Sequence, residues 1–408
     1  MKNKKLESAI VLFSLWLLMF ASSSQFFIMS PILSQIGEQL NIPQALRGTL
    51  ITSYAITLGI TALLTGPISD RYGRRKILLF GTASMAASLL LHSFATDYYS
   101  MLFFRILSGF SGGILTGSCV AYIGDYYPLD KRGWANGVVA TGSAAGQILG
   151  IPAGTLLSGS IGFYAPFQAF GLAMAVTFFM ILTQVPQPNV KKSNCSLNLK
   201  DTMTNYWMIL QKPKVKTIAM GYLLMFLSFT TFVVYFPTWL EEYMHVDHYE
   251  IAVLFLVGGL ATVLTGPISG RISDRLGRKQ ILIFTNLLLV IVIPGSVFFL
   301  GAFPKTYYFL FFIIMMLMVG RMVPFQALAS ESVDDDLRGR MMSLTISIGQ
   351  LGMAIGSALA GIIYTHIDFV GNATLAAIAC MIMAGLIQSF IPEHFSEKEL
   401  GEPKPSLP

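Results

Sequence analysis

Apolar stretches long enough to cross a hydrocarbon core of roughly 30 Å recur about twelve times in this chain, near 9–36, 47–69, 76–95, 98–123, 133–158, 163–185, 217–241, 249–272, 279–301, 306–330, 338–365 and 370–391. Inside lipid every backbone N–H and C=O must find its partner within the protein, so only helices and closed barrels can span. Barrel strands would be short and alternating, whereas these runs are continuous, which leaves helices. With 12% charged residues, 54% hydrophobic ones and a mean hydropathy of +0.65, the chain has too few charges to cover a soluble globule of its size. The expected fold class is an all-α integral membrane protein of twelve spans. The Lys-rich start has the outline of a signal peptide, but the run behind it is long and lacks a small-residue cleavage site, so it is read as span 1.

The net charge of +6 could suggest nucleic acid as a partner, but its placement gives another reason. With the N-terminus inside, Lys2, Lys4, Lys5, Lys131, Arg132, Lys191, Lys192, Lys200, Lys212, Lys214, Lys216, Arg338, Arg340, Lys398 and Lys404 all fall on one side, and only Arg47 and Lys305 on the other. This positive-inside bias puts both termini in the cytoplasm and leaves no need for nucleic acid. Cys119, Cys195 and Cys380 have no framework spacing, and the histidines His92, His245, His248, His366 and His394 lie at helix ends or in loops. Neither a disulfide nor a metal site is expected, and no cofactor. His245 and His248 beside Glu241, Glu242, Asp247 and Glu250 read as a solvated polar loop.

The chain is doubled. Thr65 to Lys76 contains Gly66, Asp70, Arg71, Gly73, Arg74 and Arg75, and about two hundred residues later Thr265 to Lys279 contains Gly270, Asp274, Arg275, Gly277 and Arg278. Further along, Asp125 precedes Arg132 with six residues between, and Glu331 precedes Arg338 at the same spacing. The organisation expected is a six-span bundle over 1–185, a cytoplasmic linker over 186–216, a second bundle over 217–392 and a polar tail over 393–408.

Basic side chains after a helix suit the negative end of its dipole and anionic headgroups. Asp70 does not, because a carboxylate in the last turn of its own helix faces that same negative end. It needs an outside partner, and the start of span 11 near Arg338 offers free N–H groups and a guanidinium. By the repeat, Asp274 should face the start of span 5 near Arg132. Gly66 and Gly270, four residues before each Asp, would allow close approach.

The two basic turns, the Asp125/Glu331 to Arg132/Arg338 pairs and the two six-span halves resemble the major facilitator superfamily of transporters over essentially the whole chain. The resemblance implies two bundles rocking about a central cavity, with this network as a conformational latch when the cavity faces outward. Span 4 reads Arg105 to Gly109, similar to the buried Arg-x-x-x-Gly of the family. Span 5 carries Gly146, Gly150, Pro152 and Gly154, similar to the Gly/Pro motif of drug and metabolite exporters; Ile151 between Gly150 and Pro152 makes it closer to the sugar and metabolite efflux permeases of the drug:proton antiporter group. The plainer reading of those glycines is close helix packing with a kink at Pro152.

Intramembrane ionisable residues are candidates for function. Arg105 and Arg321 are the two here, and they are not equivalent by the repeat. Every Asp and Glu maps to a helix end, loop or tail, and Gln25 stands in span 1 where proton-coupled relatives often carry an acid. An amide cannot titrate, which weakens proton coupling and leaves Asp125 or Asp70 on the cytoplasmic side to carry it, Asp125 being the better candidate. The resemblance places spans 1, 4, 7 and 10 around the cavity, so the substrate-cavity candidates are Gln25, Tyr54, Arg105, Gln147, Ser228, Thr231, Tyr235, Arg321 and Gln350. The expected function is a secondary active transporter of the bacterial inner membrane exporting a small organic or amphipathic compound, a monomer in the lipid bilayer with protons as a candidate coupling ion. Uptake or exchange of an anionic metabolite is the alternative that Arg105 and Arg321 favour. A membrane-embedded enzyme would need convergent acids, bases or metal ligands, and none appears; a receptor without transport would not need two latch networks.

Overall fold

The computed structural model describes residues 2–188, 199–303, 306–333 and 337–391, and among them helix is the only regular element longer than a turn. Eleven segments are long and apolar enough to cross a membrane. The fifth span completes twelve; it runs Leu129–Ala145, loosens into a π-helical turn over Gly146–Gly150 and resumes as Ile151–Ile161. Spans 2, 3, 4 and 6 are Thr49–Tyr72, Arg74–Leu91, Tyr98–Tyr126 and Tyr164–Gln184. Spans 8, 9, 11 and 12 are His248–Leu276, Arg278–Ala302, Arg338–Ile367 and Phe369–Phe390.

Three further spans that the sequence reads as continuous are broken, each for the same reason. Span 1 is Lys2–Phe27 followed by Leu33–Gln39, span 7 is Pro213–Val233 followed by Phe236–Met244, and span 10 is Tyr307–Gly320 followed by Met322–Glu331. Pro31, Pro237 and Pro324 lack the N–H that would bond Phe27, Val233 and Gly320, four residues back. The carbonyl freed at Val233 is taken by the other half: Ser30 donates to it at 2.7 Å. Ser30 and Val234 stand apart by the same 204 residues that separate Gly73 from Gly277, so the two breaks are repeat-related and meet each other.

The repeat extends to packing. Span 2 lies on 4 as 8 lies on 10; span 1 lies on 5 and 6 as 7 lies on 11 and 12; span 3 lies on 6 as 9 lies on 12. The halves join through spans 2 and 11 and through spans 5 and 8. Gly142, Gly146 and Gly150 bring span 5 onto the backbone of Trp16 and Phe20 and the side chain of Ser24 in span 1, the close approach that a four-residue spacing of small side chains permits. Asp97 caps span 4 by accepting from Ser100 N at 2.8 Å, a bond that holds its carboxyl below the usual range. The linker expected over 186–216 contains a helix, Leu199–Gln211, with Ile209 buried and Trp207 exposed. Cys195, Lys191, Lys192, Lys305, His394 and the tail from 393 lie outside the described residues.

Candidate functional site

A cavity of about 300 Å³ lies between the halves. Its walls are Phe26 and Phe27 of span 1, Gln147 and Ile151 of span 5, Phe226, Phe229 and Val233 of span 7, Phe255, Gly258, Gly259 and Thr262 of span 8, Phe311, Met315, Val319 and Met322 of span 10, and Gln350 and Met353 of span 11. Among the described residues no ionisable side chain is in this lining. The Thr262 hydroxyl is already spent on Gly258 O at 3.0 Å, which leaves two amides facing an aromatic and Met-rich surface.

The end of the bundle remote from the basic turns is closed over this cavity. Tyr235 accepts from Gly48 N at 3.1 Å and donates to Gln44 O at 2.9 Å. Gln44 donates to Glu242 at 3.0 Å, Thr52 to Ala354 O at 2.8 Å, and Ser347 to Gly59 O at 2.9 Å. Gly59, Gly159 and Gly259 lie so close to the opposite half that a Cβ would sit 3.2 Å from Gln350, 3.3 Å from His248 and 3.0 Å from Ile148. Toward the basic end a Cβ would meet nothing within 4 Å at Gly66, Gly133, Gly137, Gly266 and Gly339. The halves therefore touch at the far end and part toward the basic one. Gly66 is a correction: the close approach expected there is absent, because the basic ends are apart.

Seven of the nine cavity candidates are elsewhere. Arg105 is fully buried inside the first half, its Nη1 donating to Gln25 Oε1 at 3.2 Å, its Nε to Leu50 O at 3.4 Å and its guanidinium 4.5 Å from the Tyr54 ring centre. Gln25 in turn donates to the Tyr54 hydroxyl at 2.9 Å. Arg321 is fully buried inside the second half, donating to Asn286 Oδ1 at 2.8 Å, Cys380 Sγ at 3.3 Å, Met225 O at 3.1 Å and Ser228 Oγ at 2.6 Å. Thr231 bonds Leu227 O in its own helix, and Tyr235 belongs to the closure. Of the nine, Gln147 and Gln350 line the cavity. The side chains missed are Phe and Met, which carry no signal in a chain already rich in them.

The basic turns are built alike. Gly73 (φ 98°, ψ 138°) and Gly277 (φ 94°, ψ 134°) both take a left-handed backbone that favours glycine. Arg74 pairs with Asp125 at 2.6 Å, and its counterpart Arg278 pairs with Glu331. Asp274 near the end of span 8 pairs at 3.7 Å with Arg278, the first residue of span 9, across the Gly277 turn, and Arg132 donates to Tyr127 O at 3.0 Å. The expected contact of Asp274 with the start of span 5 is therefore not made, since the basic ends are apart. Arg71 lies over the Tyr72 ring at 5.8 Å, and Arg275 is exposed. The Asp70 side chain lies outside the described residues; Arg338 opens span 11. In the span 5 motif, Gly154 packs on Ile28 and Pro152 is the second residue after the π-helical turn.

The sequence pattern of the Major Facilitator Superfamily matches residues 15–357 and 218–408. The chain is 28% identical to "Uncharacterized MFS-type transporter YceJ" of Bacillus subtilis (strain 168), covering 88% of this chain and 91% of that one. It is 25% identical to "Multidrug resistance protein MdtG" of Proteus mirabilis (strain HI4320), covering 93% and 95%. Among solved structures, a bacterial homologue of the lysosomal transporter Spinster superposes with a TM-score of 0.78 at 14% identity, over 96% of this chain and 99% of that one. A D-xylose-proton symporter superposes with a TM-score of 0.75 at 16% identity, over 95% and 98%.

Proposed function

The chain belongs to the major facilitator superfamily of multi-pass membrane transporters, and from that premise we propose that it is an alternating-access exporter of small lipophilic organic compounds. The observation that carries this reading is the cavity, walled by both halves and free of ionisable side chains. Similarity to proteins named for multidrug resistance is in keeping with it. Carriage of an anionic metabolite loses its support, because Arg105 and Arg321 are each engaged inside one half and neither is in the lining.

The bilayer is the bacterial inner membrane, with the basic end and both termini in the cytoplasm, as the placement of Lys and Arg favours. On that orientation the closed far end is the outer one and the molecule is open inward. Residues 1–185 and 217–392 then act as the two moving bodies. The turns at Gly73 and Gly277, with Asp70 and Asp274, form the latch that engages when the basic ends come together. Protons remain the candidate coupling ion, with Asp125 as the group to test.

Transport by purified protein in liposomes, against a panel of neutral, cationic and anionic aromatic compounds with and without a pH gradient, tests the proposal. Uphill movement of lipophilic compounds supports it. Movement confined to hydrophilic anions would sink it.

A further inference from the structure

The export reading leaves open which lipophilic compounds fit, and the two amides narrow the choice. Gln350 Oε1 is buried and accepts no hydrogen bond among the described residues. A buried carbonyl oxygen in that condition costs stability until a donor reaches it. Gln147 comes from the opposite half, on the π-helical turn, and its Nε2 meets Ser143 O only at 3.5 Å, the outer limit of hydrogen bonding. Its amide therefore has little holding it away from a ligand.

The rest of the wall offers no compensation for charge. A cation entering the cavity would lose its water and meet no carboxylate among the described residues. Aromatic faces could substitute for one, but the protein already uses several of them. Phe311 stacks on Phe236 at 5.4 Å, and Phe26 packs on Tyr54 at 5.1 Å. What remains favourable is apolar contact plus one well-placed donor.

We infer that this cavity selects uncharged aromatic compounds bearing an N–H or O–H donor, received by Gln350 Oε1 of span 11 with Gln147 of span 5 facing it from the other half, and that it discriminates against permanent cations. This rests on the cavity being the transport site. Because the two amides belong to different halves, a ligand touching both would also join them.

Three biphenyls test it by equilibrium dialysis against the full-length protein in lipid nanodiscs, with empty nanodiscs subtracted. They are 4-phenylphenol, its methyl ether 4-methoxybiphenyl, and the 4-biphenylyl-trimethylammonium cation. The phenol should bind about tenfold tighter than the ether, because only the phenol satisfies the orphaned oxygen, and the cation should bind least. Gln350→Leu should weaken the phenol about tenfold and bring phenol and ether together. Gln350→Glu should reverse the order in favour of the cation, an arm that holds even if the Leu variant does not fold. Equal or tighter binding of the cation by wild type, discrimination that survives in Gln350→Leu, or no binding of any probe would each overturn the inference. If the phenol binds in the expected order but lipophilic compounds are never moved uphill in liposomes, the export reading fails and the selectivity stands. Uphill movement of the cation but not of the phenol would do the opposite.

Discussion

Arg74 Nε and Asp125 Oδ2 are 2.6 Å apart, and the repeat builds the same joint again between Arg278 and Glu331. Each ties the glycine turn after the second span of its half to the end of the fourth. The next residue adds a second tie. Arg75 Nη2 donates to Leu182 O at 2.6 Å in the last turn of span 6, and Lys279 Nζ donates to Gln388 O at 3.1 Å in the last turn of span 12. A basic side chain at a helix C-terminus satisfies carbonyls that have no partner of their own. The turn is thus fixed to two spans of its own half, which is what a half needs if it is to move as one body.

Asp125→Asn should therefore impair movement more than folding. The Asp125 side chain is 22% exposed and that of Glu331 41%, so solvent screens the second pair more and Glu331→Gln should be the milder change. We expect Asp125→Asn to insert normally, to lose about 1 kcal/mol of stability, and to transport far more slowly than wild type. Initial rates in liposomes and melting temperatures of both variants check this. If transport is proton-coupled through Asp125, substrate-induced proton release in detergent should vanish with Asp125→Asn, and release that persists unchanged removes the assignment.

Tyr235→Phe tests the far-end closure. It removes the acceptor of Gly48 N and the donor to Gln44 O, and a buried N–H left unpaired costs about 1–3 kcal/mol. The loss falls only on the state in which this end is shut, so the equilibrium should shift toward the opposite opening. Labelling of a single cysteine placed at Gln44 should become faster in the variant. Unchanged labelling would mean that apolar packing alone holds this end closed.

Much of this was legible in the sequence, and the misplaced cavity residues have one cause. The doubled turn, the spans and the packing role of Gly142, Gly146 and Gly150 all follow from spacing. The cavity wall does not, because neighbours on a helix point about 100° apart and the polar face reads as the inner one. Gln25 points at Arg105, while Phe26 beside it lines the cavity. Ser228 points at Arg321, while Phe229 beside it lines the cavity. In lipid the polar faces bond within each half, and the apolar faces are left for the space between.

Asp70→Asn should slow transport severely while leaving membrane insertion normal, since its charge is the one expected to meet the start of span 11 when the basic ends close. Asp274→Asn should be milder, because that carboxylate is 68% exposed and already spends itself on Arg278. Accessibility of a cysteine at Gly339, which faces open space here, reports the basic end. It should rise in Asp70→Asn relative to wild type. Equal accessibility together with wild-type transport would remove Asp70 from the latch.

Arg105 is a cation fully buried inside the first half. Arg105 is buried with Nη2 unpartnered and leans on an amide, Gln25, for one of its bonds. Gln25→Glu would place a carboxylate in that position, where the guanidinium has already given up its water. The new pair should stabilise the protein by roughly 1–2 kcal/mol, a charge-assisted bond less the cost of burying the acid. Because the side chain turns away from the cavity, transport should gain no new pH dependence. Arg105→Lys keeps the charge but loses the fork that reaches Gln25 and Leu50 together, so it should lower the melting temperature, and Arg105→Gln should lower it as well. Melting curves of the three variants, with transport profiles from mildly acidic to mildly alkaline pH, decide the matter. A new pH step in Gln25→Glu, or an Arg105→Gln variant as stable as wild type that no longer binds substrate, would put this cluster back in the transport path.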